Sequence, residues 1–265
     1  MAASRSIDWH SPGVPGGIPN RTTICTTLSP GATATQINTA IAACPGGQVV
    51  FLQAGTYNLS AGIIFNNKNN VTLRGAGPDQ TFLMFTGGNN CGGLGGDLCF
   101  INGDANWSGG PGNTANWTAG YAAGTTSIVL SSTTNLQVGS LLILDQLDDS
   151  AATGAVWSCQ TVGACSQQGG IGQGRPGRGQ TQVVRVTAIS GGACPCTVMI
   201  SPGLYMPNWR ASQSPGAWWS SSLPISGSGA EDLSMDHTGS SADGGTFIFN
   251  GYGIWLRNIR SLNVH

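Results

Sequence analysis

A short pattern of apolar and polar positions occurs twice in this chain, once near each end. The first copy spans residues 63–75 (IIFN, a polar gap, then VTLRG), and the second spans residues 247–258 (FIFN, a shorter gap, then IWLRN). Each copy predicts an apolar strand, a turn of Asn and Gly, a second strand and a tight bend. Because such a unit cannot bury its apolar face alone, the copies must stack. The pattern predicts a coiled β-solenoid.

A single helix is predicted before the first copy. Ile37, Ala40, Ile41 and Cys44 recur at helical spacing within residues 33–44, and Cys44-Pro45-Gly46 ends the pattern. A solenoid needs its open apolar end covered, so we expect this helix to be a terminal cap. Short strands are predicted after it, at residues 49–52, 56–59, 63–65, 71–73 and 81–85.

The central section, residues 87–224, has a different character. It is rich in Gly and Asn at its start and carries four strand-like runs around a Gly-, Gln- and Arg-rich loop at residues 167–179. We interpret it as a small β subdomain inserted into the solenoid. The runs are residues 126–131, 141–146, 182–189 and 197–201. The predicted organisation is therefore a lead-in, cap helix and first coils in 1–86, the insert in 87–224, and continuing coils in 225–265.

Aligning the bends of the solenoid predicts three columns of stacked residues. Gly, Asp and Asn tolerate a left-handed backbone, which fits the bend column. The charged column would alternate in sign along the outside of the coils, which gives the chain's single glutamate a structural role. The columns are Leu73, Ala230 and Leu256 facing inward, then Arg74, Glu231 and Arg257, then Gly75, Asp232 and Asn258 at the bend.

The composition narrows the class of protein. Charged residues make up only 8 % of the chain, against 40 % hydrophobic residues and 42 glycines, so short strands with many turns are favoured over disorder. A net charge of -1 gives no electrostatic basis for binding nucleic acid or an anionic membrane. No run approaches the ~20 apolar residues of a membrane-spanning helix. We expect neither nucleic acid nor a membrane span.

The eight cysteines occur as near neighbours in the sequence and predict disulfides formed in an oxidising compartment. Zinc is the alternative, but the spacings lack paired CxxC motifs and no histidine is close by. We therefore expect a secreted or cell-surface protein. The first residues lack the apolar core of a secretory signal, so a leader would have been removed or would lie outside this chain. The predicted pairs are Cys25 with Cys44, Cys91 with Cys99, Cys159 with Cys165, and Cys194 with Cys196.

These residues resemble a known family. The segment INTAIAACPGGQVVFLQAGTYNLSAGIIFNNKNNVTLRGAGPDQT is similar to the amino-terminal cap and first coils of the pectin-lyase-like superfamily, and GAEDLSMDHT and GYGIWLRNIRSLNV are similar to further coils. The resemblance implies an all-β fold, a right-handed parallel β-helix with an amino-terminal cap helix and an inserted small β subdomain. Members include pectate lyases, polygalacturonases, alginate-type lyases, epimerases, phage tailspikes and adhesins, so the resemblance is specific for fold rather than activity.

The family also implies where a polysaccharide would bind. In such proteins one sheet and its flanking loops form the groove. Here residues 63–65 and 247–249 would lie on that sheet. Residues 66–70 and 250–253 would lie in loops leaving the sheet, and the insert would lie in the loop entering it. The implied function is action on an acidic polysaccharide by β-elimination or glycosidic hydrolysis. The alternative is a non-catalytic carbohydrate-binding or adhesin-like surface solenoid. Because family members have more coils, we expect this chain to be an amino-terminal portion whose catalytic residues could lie beyond His265.

Aromatic residues supply the candidate substrate-binding side chains, since they offer sugars a flat apolar face with a polar edge. The end of the insert concentrates several of them beside an arginine, and one more lies in the second groove loop. The alternative is a small core that joins the insert to the solenoid. The candidates are Tyr205, Trp209, Arg210, Trp218, Trp219 and Tyr252.

The candidate catalytic residues are Asp236 and His237, followed by Asp243, in a loop predicted to enter the groove. They could act as acid and base, or the aspartates could hold Ca²⁺; otherwise no cofactor is expected. The alternative is a loop aspartate bonded to its own backbone. A lyase also needs a cation beside the substrate carboxylate, and Lys68 and Arg260 are the leading candidates, with Arg210 and Arg257 also available. The further acidic run at Asp145, Asp148 and Asp149 is interpreted as a turn.

Overall fold

The computed structural model describes residues 13–87, 91, 95–103, 112–147, 175, 177–178, 180–242 and 244–263. Two compact units divide the chain: residues 103–223 belong to one, and residues 9–102 with 224–265 belong to the other. We call the first the barrel unit and the second the solenoid unit. The insert thus begins about sixteen residues later than position 87 (103 − 87 = 16).

The described residues form eighteen strands, one α-helix and a short 3₁₀ helix at Ala211–Gln213. In chain order the longer elements are β1 (Ile24–Leu28), α1 (Ala34–Ala43), β2 (Gln48–Leu52), β3 (Gly55–Leu59), β4 (Ile63–Asn66), β5 (Val71–Arg74), β6 (Thr81–Phe85), β7 (Gly96–Ile101), β8 (Asn113–Ala119), β9 (Ser127–Leu130), β10 (Leu141–Gln146), β11 (Gln180–Ser190), β12 (Cys196–Ser201), β13 (Gly216–Trp219), β14 (Ile225–Ser226), β15 (Gly229–Asp236), β16 (Gly244–Phe249), β17 (Gly251–Tyr252) and β18 (Trp255–Leu262).

The solenoid unit is built from parallel strands, and each turn of the chain adds a strand beside one from an earlier turn. Its largest sheet has the order β1-β2-β5-β15-β6-β3, with β18 pairing β15, and a second sheet has the order β16-β7-β4. The pairings within both sheets are parallel. A parallel β-helix is therefore confirmed. The cap helix and the insert are present as well, and the insert is a closed antiparallel barrel.

The predicted register of the coils is confirmed in the largest sheet. Ala230 lies opposite Leu73 on one side and Leu256 on the other, and Leu73 and Ala230 are buried. Leu256 was expected inside but is exposed, because β18 pairs with a single described neighbour, β15. Asp232 and Asn258 have φ of 57° and 52°, as the left-handed bend requires.

Gly75, the third bend residue, is needed for a different reason. Its backbone is not left-handed, but a Cβ atom there would lie 2.4 Å from the carbonyl oxygen of Asp232 and 2.8 Å from Cβ of Thr81. The glycine therefore permits close approach of two coils rather than an unusual φ.

The charged column differs from its prediction in one respect, its burial. Glu231 is 0 % exposed, and its carboxylate lies 2.5 Å from Nη2 of Arg74 and 2.5 Å from Nη2 of Arg257. The column lies on the outer face of the sheet as predicted, but the carboxylate is buried there. It forms a buried ion triplet with the arginines of the strands above and below.

The lead-in segment before β1 supplies the cover over this column. Arg21 donates hydrogen bonds to Oγ1 of Thr72 at 2.7 Å and to the carbonyl oxygen of Gly227 at 2.7 Å. Its backbone carbonyl accepts a hydrogen bond from Arg74 at 2.8 Å, and its guanidinium lies 5.0 Å from the centroid of the Trp255 ring. The lead-in thus lies against the outer face of the largest sheet at Thr72 and Arg74, next to the buried Glu231 carboxylate.

The cap helix has the predicted position and a well-defined start. Thr33 is its N-cap and forms a capping box with Gln36, so two orphan donors of the first turn are satisfied. The helix buries Ala34, Ile37, Ala40 and Ile41 in the solenoid core. The predicted disulfide joins Cys25 of β1 to Cys44 just after the helix.

One solenoid strand, β7, lies in the section predicted to be insert. It pairs in parallel with both β4 and β16 and therefore separates the two copies of the repeated pattern. A disulfide joins Cys99 of β7 to Cys91, as predicted. The insert leaves the solenoid after β7, in the loop leaving the second sheet rather than the loop entering it.

The barrel unit is a closed antiparallel barrel with strand order β10-β11-β12-β9-β8-β13. The fourth predicted disulfide joins Cys194 to Cys196, the first residue of β12. The predicted pair Cys159 and Cys165 lies outside the described residues. The buried core of the barrel contains Ala115, Trp117, Ile128, Leu130, Leu136, Leu142, Leu144, Val184, Val186, Val198, Ile200, Leu204, Trp209, Ala217 and Trp219.

Among the residues that the structure describes, none of the helices has the length and apolar character needed to cross a membrane.

The ion triplet gives a first testable prediction. Glu231→Gln removes the buried carboxylate and leaves two arginines without their counter-charge, so we expect a loss of about 2–4 kcal/mol in the free energy of unfolding. The loss falls toward the lower end because Arg257 is 38 % exposed. Urea-induced unfolding measured by circular dichroism would give this free energy of unfolding.

Asp232→Asn is the matched control, since Asp232 is one residue away and less buried, and it should change stability by less than about 0.5 kcal/mol. Equal unfolding midpoints for the two variants would refute a stabilising triplet.

Candidate functional site

The outer side of the β16-β7-β4 sheet is the surface that the family resemblance assigns to a groove. Phe65 and Phe100 are fully buried and stack at 4.5 Å between ring centroids, so alternation directs their strand neighbours outward. The ladder brings these outward positions into two rows across the sheet. We call them the groove face: Ile64, Cys99 and Phe247 in one row, and Asn66, Ile101 and Phe249 in the other. Cys99 is fully buried and bonded to Cys91, so the other five side chains provide the accessible surface.

Two phenylalanines give the groove face its aromatic character. The rings of Phe247 and Phe249 lie 6.2 Å apart between centroids at an interplanar angle of 34°, and both side chains are half-buried. This separation is within the range of favourable aromatic pairs. The pair presents a broad apolar surface on β16.

A cleft of ≈ 400 Å³ adjoins this face between the cap helix and β4. Ile64 and Asn66 belong to both surfaces, so the cleft and the groove face are continuous. The cleft is lined by Thr35, Asn38, Thr39, Ile41, Ala42, Ile64, Asn66 and Lys68.

Asn38 fixes the wall of the cleft. Its side-chain oxygen accepts a hydrogen bond from the backbone N–H of Ile64 at 2.8 Å, and its side-chain nitrogen donates to the carbonyl of Gly62 at 3.0 Å. Strand β4 is an edge of its sheet, so these bonds satisfy backbone groups that the sheet leaves unpaired. One side chain of the helix thereby holds β4 in place.

Lys68, the single lysine of the chain, supplies the positive charge of the cleft. Its ammonium group donates a hydrogen bond to the carbonyl oxygen of Ala42 at 2.7 Å, in the last turn of α1. The negative end of the helix dipole favours a cation at this place. Because an ammonium group has three donors and this bond uses one, Lys68 can also interact with a ligand in the cleft.

His237, a predicted catalytic residue, lies inside the solenoid and not on the groove face. Its ring is 3 % exposed and stacks on Phe85 with ring centroids 5.4 Å apart. Nδ1 lies 2.8 Å from Oδ2 of the fully buried Asp97, and Nε2 lies 3.2 Å from Oγ of Ser261. The connections follow the order of a serine-hydrolase triad. The ring is buried and lies away from the groove face, so its catalytic role stays a prediction and is not part of the site described here.

Asp97 was absent from the sequence-based candidates, although it determines where His237 lies. Its second oxygen accepts a hydrogen bond from Ser240 at 2.9 Å, so the carboxylate is bonded on both sides. The signal that could have revealed it is a lone aspartate within an apolar strand, since a buried carboxylate requires partners.

Asp236 makes the local contacts of a loop aspartate. It accepts hydrogen bonds from the backbone N–H of Thr238 at 2.8 Å and from the Thr238 hydroxyl at 2.5 Å, and these bonds lower the pKa of Asp236. Asp243, its suggested partner for acid–base chemistry or Ca²⁺, lies outside the described residues. Within the described ranges there is no group of three or more His, Cys, Asp and Glu side chains arranged to hold a metal ion.

The candidate cations are not brought together. Arg260 lies on β18 in the largest sheet and pairs with Asp79, while Arg257 of the same strand pairs with Glu231. Lys68 is thus the predicted catalytic residue that adjoins the groove face. Arg210 lies in the barrel unit, near the last residue of β10. Its backbone N–H donates a hydrogen bond to Oε1 of Gln146 at 3.1 Å.

The predicted aromatic sugar-binding residues divide into buried and accessible ones. Trp209 and Trp219 are 4 % and 1 % exposed in the barrel core, the arrangement expected of the alternative in which these rings form a small core. Tyr205 is 51 % exposed, and Trp218 is half-buried on β13. Tyr252 is half-buried on β17, in the loop that follows the groove strand β16.

Comparison with known proteins gives a structural likeness and no relationship by sequence. No family model matches the chain, and no curated protein matches it. The chain is similar to the crystal structure of the tailspike gp61 of Pseudomonas phage phi297, with a TM-score of 0.56, 13 % identity, and coverage of 85 % of this chain and 30 % of that one.

Two further tailspikes have a weaker likeness. The tailspike gp54 of Acinetobacter baumannii bacteriophage AP22, solved with A. baumannii capsular saccharide, matches with a TM-score of 0.36, 10 % identity, and coverage of 87 % of this chain and 36 % of that one. The tailspike gp49 of Pseudomonas phage LKA1 matches with a TM-score of 0.34, 16 % identity, and coverage of 76 % and 32 %. This chain spans about a third of the length of each tailspike. The likeness to the phi297 tailspike is a likeness of fold, and it agrees with the parallel strand pairing described above.

The position of Asn38 gives a second prediction. Asn38→Ala leaves the Ile64 N–H and the Gly62 carbonyl without partners, so we expect a loss of about 1–2 kcal/mol in stability. Hydrogen exchange of the Ile64 amide should become about tenfold faster, because local opening of β4 becomes easier. Thr39→Ala, an exposed neighbour in the same cleft, should leave both quantities near their original values. Unchanged exchange at Ile64 in Asn38→Ala would show that the sheet holds β4 without the helix.

Proposed function

We propose that the groove face and the adjoining cleft bind an acidic polysaccharide. The observation that carries the proposal is the outward Phe247–Phe249 pair on the same three-stranded sheet whose edge strand lines the Lys68 cleft. Aromatic rings bind the apolar faces of sugars, and an ammonium group attracts a sugar carboxylate. The two kinds of contact on one continuous surface suit a chain of charged sugars.

Three features of the solenoid support this proposal. The parallel strands hold the outward side chains at the spacing of ~4.8 Å between coils, so the surface is preorganised. The disulfides Cys25–Cys44 and Cys91–Cys99 fit a protein of an oxidising, extracellular compartment. The likeness to the phi297 tailspike supports the β-helix scaffold, while the ligand is argued from the groove face alone.

A binding measurement tests the proposal. We expect the protein to retain polygalacturonate or alginate on an affinity gel and to pass through a gel containing a neutral glycan. Phe249→Ala should weaken retention roughly tenfold, since one aromatic contact is lost and a tenfold change corresponds to about 1.4 kcal/mol. Lys68→Ala should weaken it and make it less sensitive to salt, because an ionic contact is lost.

The matched control for Lys68→Ala is Arg260→Ala. It removes the same charge from the largest sheet, away from the groove face, and should leave retention unchanged. Retention that is equal in the wild type, Phe249→Ala and Lys68→Ala would exclude this surface as the binding site. Retention on the neutral glycan alone would exclude an acidic ligand.

Cleavage of the same polysaccharide by β-elimination is a second candidate function. Lys68 favours it, because a lyase needs a cation to neutralise the carboxylate beside the proton that is removed. Asp243 remains a hypothesis for the base. If cleavage occurs, incubation with polygalacturonate should produce unsaturated ends that absorb ultraviolet light, and Lys68→Ala should slow their formation. New reducing ends without ultraviolet absorbance would indicate hydrolysis instead. If neither product forms, binding alone is the activity.

A further inference from the structure

The barrel unit carries a charged cluster at the end of β10 that the groove proposal does not use. Asp145 is 1 % exposed, although alternation directs it away from the core side chain of Leu144. Its Oδ1 atom lies 2.8 Å from Nη1 of Arg178 and 3.3 Å from Nη1 of Arg175. The two guanidinium groups therefore cover the carboxylate and share one of its oxygens.

The backbone beside Asp145 is shaped to receive Arg175. Gly216 lies opposite Asp145 in the antiparallel pair of β10 and β13. A Cβ atom on Gly216 would lie 2.6 Å from Nη1 and 2.7 Å from Nη2 of Arg175, so a larger residue would displace the guanidinium. The absence of a side chain at Gly216 thus leaves space for the Arg175 guanidinium against β13.

Trp218 completes the cluster, two residues after Gly216 and on the same side of β13. Its indole N–H faces the Asp145 carboxylate and helps to lower the pKa of Asp145 against the larger effect of burial, which raises it. Neither Nε1 of Trp218 nor Oδ2 of Asp145 makes a hydrogen bond of ordinary geometry. The ring itself is half-buried, so part of its surface remains accessible.

Among the described residues, the charges within this cluster do not balance. Two guanidinium groups face one carboxylate, and Nη1 of Arg175 makes no hydrogen bond of ordinary geometry. Arg175 and Arg178 remain 20 % and 13 % exposed, so their outer edges reach the surface. Burial lowers the pKa of Arg175, which indicates that its charge is poorly solvated. A second anion at these outer edges would supply the missing counter-charge. Asp148 and Asp149 follow in sequence but lie outside the described residues.

We propose that Arg175, Arg178 and Trp218 form a second saccharide site, specific for a sugar that carries a carboxylate. The guanidinium edges would receive the carboxylate through paired hydrogen bonds, and the indole would contact the apolar face of the sugar ring. Asp145 is a positioning residue, because it orients both arginines from beneath. The ligand class follows from the proposed function, but the residues belong to the barrel unit and not to the groove face.

A titration with trigalacturonate tests this site separately from the groove. In the wild type we expect the indole N–H resonance of Trp218 to shift during the titration; Trp218→Phe assigns that resonance. Arg178→Gln should weaken the binding that this resonance reports by roughly tenfold, since a charge-assisted hydrogen bond is lost. Arg185→Gln is the matched control, with the same change of charge at the Leu141 end of β10, and it should leave the titration unchanged.

Two further variants keep the outcome decisive. Arg178→Lys retains the charge that Asp145 requires and removes the planar pair of donors, so it should fold as the wild type does and still bind more weakly. Lys68→Ala combined with Phe249→Ala removes the proposed groove contacts and should leave the Trp218 shift intact. Equal titrations of the wild type, Arg178→Gln and Arg178→Lys would overturn the second site.

The failures of the two proposals differ in this experiment. If binding is lost only in the groove variant, the groove proposal stands and the second site is overturned. If binding is lost only in the arginine variants, the second site stands and the groove proposal fails. A wild type that shows no shift with trigalacturonate at any resonance overturns both.

Discussion

The in-register stacking of Arg74, Glu231 and Arg257 is the interaction on which the solenoid depends. Arg74 and Glu231 are 157 residues apart in sequence, because the whole barrel unit lies between their strands. A slip of one residue would move every apolar side chain of β15 from the core to the outer face. It would also leave the buried Glu231 carboxylate beside Leu73 or Gly75 instead of an arginine. The ion triplet thus makes one register of β15 far more favourable than its neighbours.

This register determines the geometry of the groove face. Strand β15 continues through the Asp232 bend, pairs with β6 as well as β5, and leads into β16. Because β15 is fixed against β5, β16 can only pair with the next free strand edge, which is that of β7. Phe247 therefore lies beside Cys99 and Ile64, and Phe249 beside Ile101. The position of the aromatic pair is a consequence of charges that lie on a different sheet.

The sequence was informative wherever a local pattern decides the structure. The helical spacing of Ile37, Ala40 and Ile41 predicted the cap, and the left-handed residues Asp232 and Asn258 predicted the bends. It was uninformative where a distant segment decides burial. Glu231 is buried next to the lead-in residue Arg21, whose backbone contacts Arg74 on the largest sheet. Strand β7 lies in a Gly-rich run, and its partner β16 is far away in sequence. Trp209 and Trp219 face inward because the barrel closes, which their own neighbours in sequence do not reveal.

The scarcity of charge in this chain makes the location of each charge informative. In the described solenoid, Arg21 holds the lead-in on the sheet, Arg74 and Arg257 hold Glu231, Arg260 pairs with Asp79, and His237 pairs with Asp97. Each of these side chains has a partner within the fold, and Arg74, Arg257 and Arg260 are paired with acids. Arg21 also bonds to neutral groups, but its charge interacts with that of the buried Glu231. Lys68 differs, because its partner is a backbone carbonyl and no acid among the described residues forms an ion pair with it. In a chain with so few ionic groups, this cation on the surface that adjoins the groove face is consistent with the anionic ligand that we propose.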